Sequence, residues 1–321
     1  MKRMASTFSA RLLTLMALML APMPAAAQDA ARGASLLAEA RKAVGGEDRL
    51  RAVKTLQVRG DFKRTAGQNT VEGELDLRLE PPSRLRRDED TSLPGGGPAI
   101  IRTEVLNGTD AWDENTGGGG NFGFRGGGGG RGDFGGFGGG RAGNVPGDAG
   151  AGRGRGPVDP EQLRQLQVRA RQADLDRFML SMLLASDAPV AWVGTAQSPD
   201  GQADVLEFTP AGGTPTRLFL DVATHVPLMI TWQGVAPQAA GRRGGAGRGG
   251  DPPPGDQPAP PPPPQRPQAA TQRLTLGDYK VVGGIRFPHT ITRGVNDQTI
   301  EEWTVDSYRV NPSFRSDTFS K

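Results

Sequence analysis

Over several stretches of this chain, apolar and polar residues alternate with the two-residue period of strands that bury one face. The alternation is strongest near the C-terminus. There, Leu274 to Phe319 (LTLGDYKVVGGIRFPHTITRGVNDQTIEEWTVDSYRVNPSFRSDTF) predicts two or three long antiparallel strands with sharp turns, then a short extended tail. Upstream, Val71 to Leu79 puts Val71, Leu75, Leu77 and Leu79 on one face and charged residues on the other. Thr55 to Lys63 carries Leu56, Val58 and Phe62 across Gly60, the pattern of a strand with a bulge. Pro81-Pro82 breaks the pattern, and Ser83 to Asp88 turns back as another strand. Ala99 to Leu106 predicts a strand, Asn107-Gly108 a hairpin turn, and Asp110 to Asp113, with Trp112, the return. Further strands are predicted over Val190 to Gly194, Ala203 to Thr209, Thr216 to Asp221 and Val226 to Gln233.

Two stretches follow the helical period. Ala34 to Val44 places Leu36, Leu37, Ala40 and Val44 on one face and ends at Gly45-Gly46. Asp159 to Leu184 has Asp159 as N-cap and Pro160 in the first turn, with Glu161 suited to the helix dipole. Its stripe is Leu163, Leu166, Ala170, Leu175, Phe178, Met179, Met182 and Leu183. The fold class is therefore α+β: a sheet of roughly ten to eleven antiparallel strands with covering helices.

Two segments interrupt this pattern. Residues 117–157 contain NFGFRGGGGGRGDFGGFGGGR, and residues 234–270 contain GRRGGAGRGGDPPPGDQPAPPPPPQRPQ. Both lack the apolar content that offsets backbone ordering and are expected to be disordered. Without them and the leader, roughly 215 residues remain, a size that one β-rich domain reaches. Each doubling of a loop adds only about 0.6 kcal/mol of closure cost. One interrupted domain over residues 28–321 is therefore expected. The strand at Leu274 to Lys280 pairs with Val226 to Gln233, which makes the proline-rich segment a hairpin tip.

The N-terminus reads as a secretory signal over residues 1–27. Lys2, Arg3 and Arg11 are its cations, Leu12 to Ala21 its apolar run, and Ala25-Ala26-Ala27 its cleavage site. The apolar run is shorter than the ~20 residues that span a bilayer, and no second run of membrane length follows. There is no cysteine, which removes disulfides, thiol chemistry and a lipidated cysteine anchor. A soluble, exported protein is expected; in a Gram-negative cell that means the periplasm. The formal charge of +3 does not by itself argue for a nucleic-acid partner. Phe122, Phe124, Arg125, Arg131, Phe134, Phe137 and Arg141 interleave as in single-strand binders, but an exported protein meets little RNA.

Enzyme chemistry finds little support. His225 falls in a turn and His289 in a strand, neither with the company of a triad or an HExxH site. No phosphate-cradling GxxxxGK[ST] occurs, and no cofactor or metal is expected. Asp and Glu fall on the polar faces of predicted strands and helices, where solvated charge is expected.

The order of motifs resembles the LolA/LolB-like periplasmic lipoprotein carriers and their outer-membrane lipoprotein-sorting relatives. The similarity lies in an N-terminal helix, LRLEPPSRLRR, VLNGTDAW, a helical segment, TRLFLDVATHVPLMITW, GDYKVVGGIRFPHTI and a late Phe319. The resemblance implies a curved antiparallel half-barrel with helices plugging its open side. It also implies non-covalent carriage of acyl chains on lipoproteins or lipids, with envelope membrane proteins as candidate delivery partners. One departure stands out: the family's Arg before the proline is Glu80 here, with Arg84, Arg86 and Arg87 nearby but out of register. If the implied cavity exists, its lining candidates are Leu75, Leu77, Trp112, Phe178, Met182, Leu183, Trp192, Met229 and Trp232. Aromatic and methionine side chains suit a mobile acyl chain, and the same residues also suit a filled core. The alternative reading on the same fold is an envelope interaction module with a side-chain-filled core.

Overall fold

The computed structural model describes residues 25–66, 69–91, 99–117, 159–184, 188–198, 201–209, 213–235 and 269–321. Helices α1 (Ala25–Val44) and α2 (Glu47–Arg51) come first. Five strands follow: β1 (Leu56–Ala66), β2 (Asn69–Glu80), β3 (Arg84–Thr91), β4 (Ile100–Asn107) and β5 (Asp110–Gly117). Helix α3 (Pro160–Ser181) precedes β6 (Val190–Ser198), β7 (Gly201–Phe208), β8 (Thr216–Asp221) and β9 (Pro227–Val235). The last strands are β10 (Ala269–Val282), β11 (Ile285–Val295) and β12 (Gln298–Val310).

The twelve strands form one antiparallel sheet in the order β5-β4-β3-β2-β1-β12-β11-β10-β9-β8-β7-β6. It is curved and unclosed, an α+β half-barrel with β5 and β6 as its edges. The count exceeds the expected ten to eleven because the C-terminal stretch contains two turns and so folds as three strands. Gly283, Gly284 and Asn296 take the positive φ angles those turns require, at 61°, 79° and 51°. Strands β9 and β10 pair from Met229 opposite Thr275 to Val235 opposite Ala269, the pairing the sequence predicts across the proline-rich segment.

Three expectations fall wholly or largely outside the described residues. The leader does so apart from Ala25 to Ala27, which form the first residues of α1. That helix begins nine residues before the predicted Ala34. The two insertions do so between 118 and 158 and between 236 and 268. Their expected bounds are too wide, since Gly117 belongs to β5, residues 234–235 to β9 and residues 269–270 to β10.

Chain order explains how the inner face of the half-barrel is covered. Strands β5 and β6 are consecutive in sequence yet lie at opposite edges, so α3 between them crosses the inner face. Asp159 caps α3 by accepting from the Glu161 N–H at 3.0 Å, and Pro160 sits in the first turn. Helix α1 covers the other flank along β6. A Cβ on Gly33 would stand 2.8 Å from the Trp192 nitrogen, so only glycine permits this approach. The apolar core joins the inner residues Leu56, Val58, Leu77, Leu79 and Phe287 to Ala40 and Val44 of α1 and to Leu175, Phe178 and Met179 of α3.

The predicted bulge is present: the β1–β12 register shifts between Arg59 and Gly60. A Cβ on Gly60 would collide with the Thr304 carbonyl oxygen and reach 2.7 Å from the Val305 Cα. Both obstacles are backbone, which cannot swing aside. Gly60→Ala is therefore expected to lower the unfolding free energy by about 1–3 kcal/mol. Urea denaturation followed by tryptophan fluorescence checks this.

Candidate functional site

The inner face beneath α3 gathers most, but not all, of the sequence-predicted lining residues. Leu75, Leu77, Phe178, Met182, Leu183 and Trp232 are buried in one continuous core. Trp192 is half-buried against it, opposite the inner residue Leu206. Its indole N–H donates to Asp204 Oδ1 at 2.9 Å, and the Arg32 guanidinium lies 3.6 Å from its ring centre.

Trp112 and Met229 lie on the other face. Between β4 and β5 the inner pairs are Glu104 with Asp113 and Leu106 with Ala111, whereas Trp112 faces Val105. Met229 pairs with Phe219, while the inner positions of those strands are Leu218 with Ile230 and Thr216 with Trp232. Among the described residues, none of the nine candidates lines either of two surface clefts. One, of about 510 Å³, lies between α1, the α1–α2 corner and Val190. The other, of about 360 Å³, lies beside the C-terminal tail.

The feature not read from the sequence is a buried ionic network on this inner face. Arg64 of β1 and Arg87 of β3 converge on two acids. Arg64 Nη2 lies 2.6 Å from Glu89 Oε1 and 2.8 Å from Glu301 Oε1. Arg87 Nη2 lies 2.5 Å from each of the same two oxygens, and its guanidinium sits 5.0 Å from the Trp303 ring centre. A second group ties α3 to the sheet edge. Arg171 of α3 donates from Nη1 to Glu104 Oε2 at 2.6 Å and from Nη2 to Asp113 Oδ1 at 2.8 Å. Arg102 reaches the other Glu104 oxygen at 2.6 Å. Further along the helix, Arg177 lies over the Trp232 ring, and its Nη1 is 3.6 Å from Asp174 Oδ1.

These groups correct two expectations. Glu89, Glu104, Glu301 and Asp174 were expected on solvated faces, yet each is at most 2 % exposed. The α3 stripe was expected to begin at Leu163 and Leu166, yet Leu166 is exposed and Arg171 and Asp174 take the inner positions. For the three glutamates the reason is pairing: each meets an arginine on another strand or on the helix, and Coulomb attraction in a weakly screening interior offsets lost hydration. Burial pushes the Glu301 carboxyl up, but Arg87 and Arg64 outweigh it and bring it down to about 2. Burial likewise opposes ionisation of Glu104, and Arg171 and Arg102 hold it below the usual range. At Asp174 the balance reverses. Burial outweighs Arg171, Arg293 and Arg177 and raises the carboxyl to about 7.

Among the described residues, no group of three or more His, Asp or Glu side chains could hold a metal ion. No described helix is long and apolar enough to cross a membrane. The inner face therefore offers an apolar floor, a charged rim and a helix fastened across both.

No family model matches the sequence, and no curated protein matches it. The solved structures similar to this chain include three that it covers over most of their length. An outer membrane lipoprotein-sorting protein domain from Vibrio parahaemolyticus is 13% identical, with a TM-score of 0.42, over 91% of this chain and 97% of that one. A LolA superfamily protein from Nitrosomonas europaea is 10% identical, with a TM-score of 0.42, over 90% and 97%. A DUF1329 family protein from Desulfovibrio piger is 9% identical, with a TM-score of 0.41, over 89% and 96%. At this distance the functional reading rests on the chain's own geometry.

Glu301→Gln removes the acid shared by Arg64 and Arg87 and leaves buried cations short of charge. A loss of about 3–5 kcal/mol is expected at pH 6. Because the folded-state pKa of Glu301 is depressed, its contribution is complete above the unfolded value of about 4.3 and disappears as pH falls towards 2. The gap between wild type and variant should close over that window, as read by urea unfolding from pH 6 to pH 2.5.

Proposed function

We propose that this chain is an exported carrier that holds an apolar ligand, an acyl chain or lipid, against the inner face of the half-barrel, with α3 as its cover. One observation supports this above the rest. The apolar inner face is sealed not by closure of the sheet but by a separate helix fastened to the rim by ion pairs. A helix held this way lifts without breaking a sheet ladder. The inward side chains Phe178, Met182 and Leu183 then mark the space an acyl chain would share or take. The secretory leader supports a periplasmic location, and the motif order resembling LolA-like proteins supports lipoproteins as cargo.

A second reading is favoured by the filled interior. Phe178 lies against Trp303 with ring centres 6.1 Å apart, and both are buried. A core packed in this way suits an envelope interaction module that carries no ligand.

Native mass spectrometry of protein taken from its own envelope, together with uptake of a fluorescent fatty acid, separates the two. The carrier reading expects bound lipid. It also expects severalfold stronger uptake in Phe178→Ala or Met182→Ala, which vacate inner space, and no change in Met229→Ala on the outer face. A protein that arrives empty and binds no fatty acid, in wild type and in both inner variants, contradicts it.

A further inference from the structure

Helix α3 meets the inner face through groups of two kinds. Arg171 is fully committed: Glu104 and Asp113 take its two terminal nitrogens at 2.6 and 2.8 Å. Asp174, one turn further on, is not. It is 2 % exposed, and its Oδ1 accepts no hydrogen bond. Arg177 Nη1 lies 3.6 Å from that oxygen, beyond hydrogen-bonding distance, with its guanidinium over Trp232. Among the described residues, Arg171 on its own helix, Arg293 on β11 and Glu104 on β4 also act on Asp174. Behind them, Arg293 in turn faces Glu301 of β12, Arg87 of β3 and Arg64 of β1. The carboxyl thus sits among cations that neighbouring acids already share.

An ionised carboxylate with one oxygen buried and accepting no hydrogen bond is costly, while the protonated acid is cheaper to bury. The cost falls on α3, because Asp174 regains water when the helix lifts. We propose that α3 is a proton-controlled latch: protonation of Asp174 seats the helix on the inner face, and ionisation loosens it. Arg171 holds the middle of the helix to β4 and β5 while the C-terminal part, from Asp174 to Ser181, responds. The use of this latch to admit or release a ligand rests on the carrier reading; the latch itself does not.

The direction follows from the proton balance. Burial raises the seated carboxyl to about 7, and in the lifted state it returns towards its ordinary value of about 3.9. Between those values the seated state binds more protons, so seating weakens as pH rises and the loss levels off above about 7. Between pH 6 and pH 8.5, opening of α3 should increase about tenfold.

Amide hydrogen exchange of the full chain tests this, with rates corrected for the chemical exchange rate at each pH. Opening at Leu175 to Ser181 should rise about tenfold from pH 6 to pH 8.5 in wild type, while amides of β1 and β12 change less than twofold. In Asp174→Asn, which keeps the shape without the charge, the rise should vanish. His289, buried on β11 with its Nδ1–H donated to Val305 O at 2.7 Å, is the same in both proteins. The difference between them therefore isolates Asp174. Arg177→Gln removes one compensating cation and should move the levelling-off point to higher pH, a check that does not need the first variant to fold. A flat α3 profile in wild type, an undiminished rise in Asp174→Asn, or a parallel rise in β12 overturns the latch. The expected exchange result combined with no fatty-acid uptake at any pH contradicts the carrier reading and leaves the latch standing.

Discussion

An antiparallel sheet that does not close leaves one apolar face to be covered by something other than itself. In this chain that constraint falls on α3, because the strands before and after it lie at opposite edges of the twelve-strand sheet. The fastening is the ion pair of Arg171 with Glu104, at 2.6 Å and almost wholly buried. Arg102 on the second Glu104 oxygen keeps the acid charged, and Asp113 takes the second Arg171 nitrogen. The apolar last turns of the helix and the residues just after it, from Leu175 to Leu183, pack where that anchor puts them.

Ion pairs in an interior are poor value as stabilisers, since apolar side chains of the same volume often do better. Their contribution here is to position. A helix with only an apolar stripe can slide along an apolar floor by a turn and bury nearly as much. Arg171 can meet Glu104 in one register only. The same logic holds on the sheet, where Glu301 faces both Arg64 across β1 and Arg293 across β11. Its shared oxygen also binds Arg87 from β3, which spans the strands between. The cost is a set of charges that respond to pH in opposite senses, Glu301 held down to about 2 and Asp174 pushed up to about 7.

Much of the sheet was legible in the sequence, and the reasons are local. The alternation of Leu75, Leu77 and Leu79, the Asn107-Gly108 turn and the glycine at the β1 bulge all act within a few residues of themselves. The pairing of β9 with β10 followed because both strands need partners and a long hairpin tip costs little. Other features were hidden. In β3 the sequence RLRRDED alternates inward Leu85, Arg87 and Glu89 with outward Arg86 and Asp88, so charge appears on both faces and periodicity is silent. Only the partner strands, distant in sequence, make the inward acids tolerable. Trp112 and Met229 were candidates for being large and apolar, but a shift of one residue in a strand reverses the face, and register is set by neighbours.

The central claim is that a buried ion pair, and not apolar contact alone, fixes the cover on the half-barrel. A double-mutant cycle on Arg171→Met and Glu104→Gln, read by urea unfolding at pH 7, measures that pair directly. A coupling of about 2 kcal/mol or more is predicted. A coupling below about 0.5 kcal/mol would contradict the account, because α3 would then be held by its apolar face and the network would be incidental.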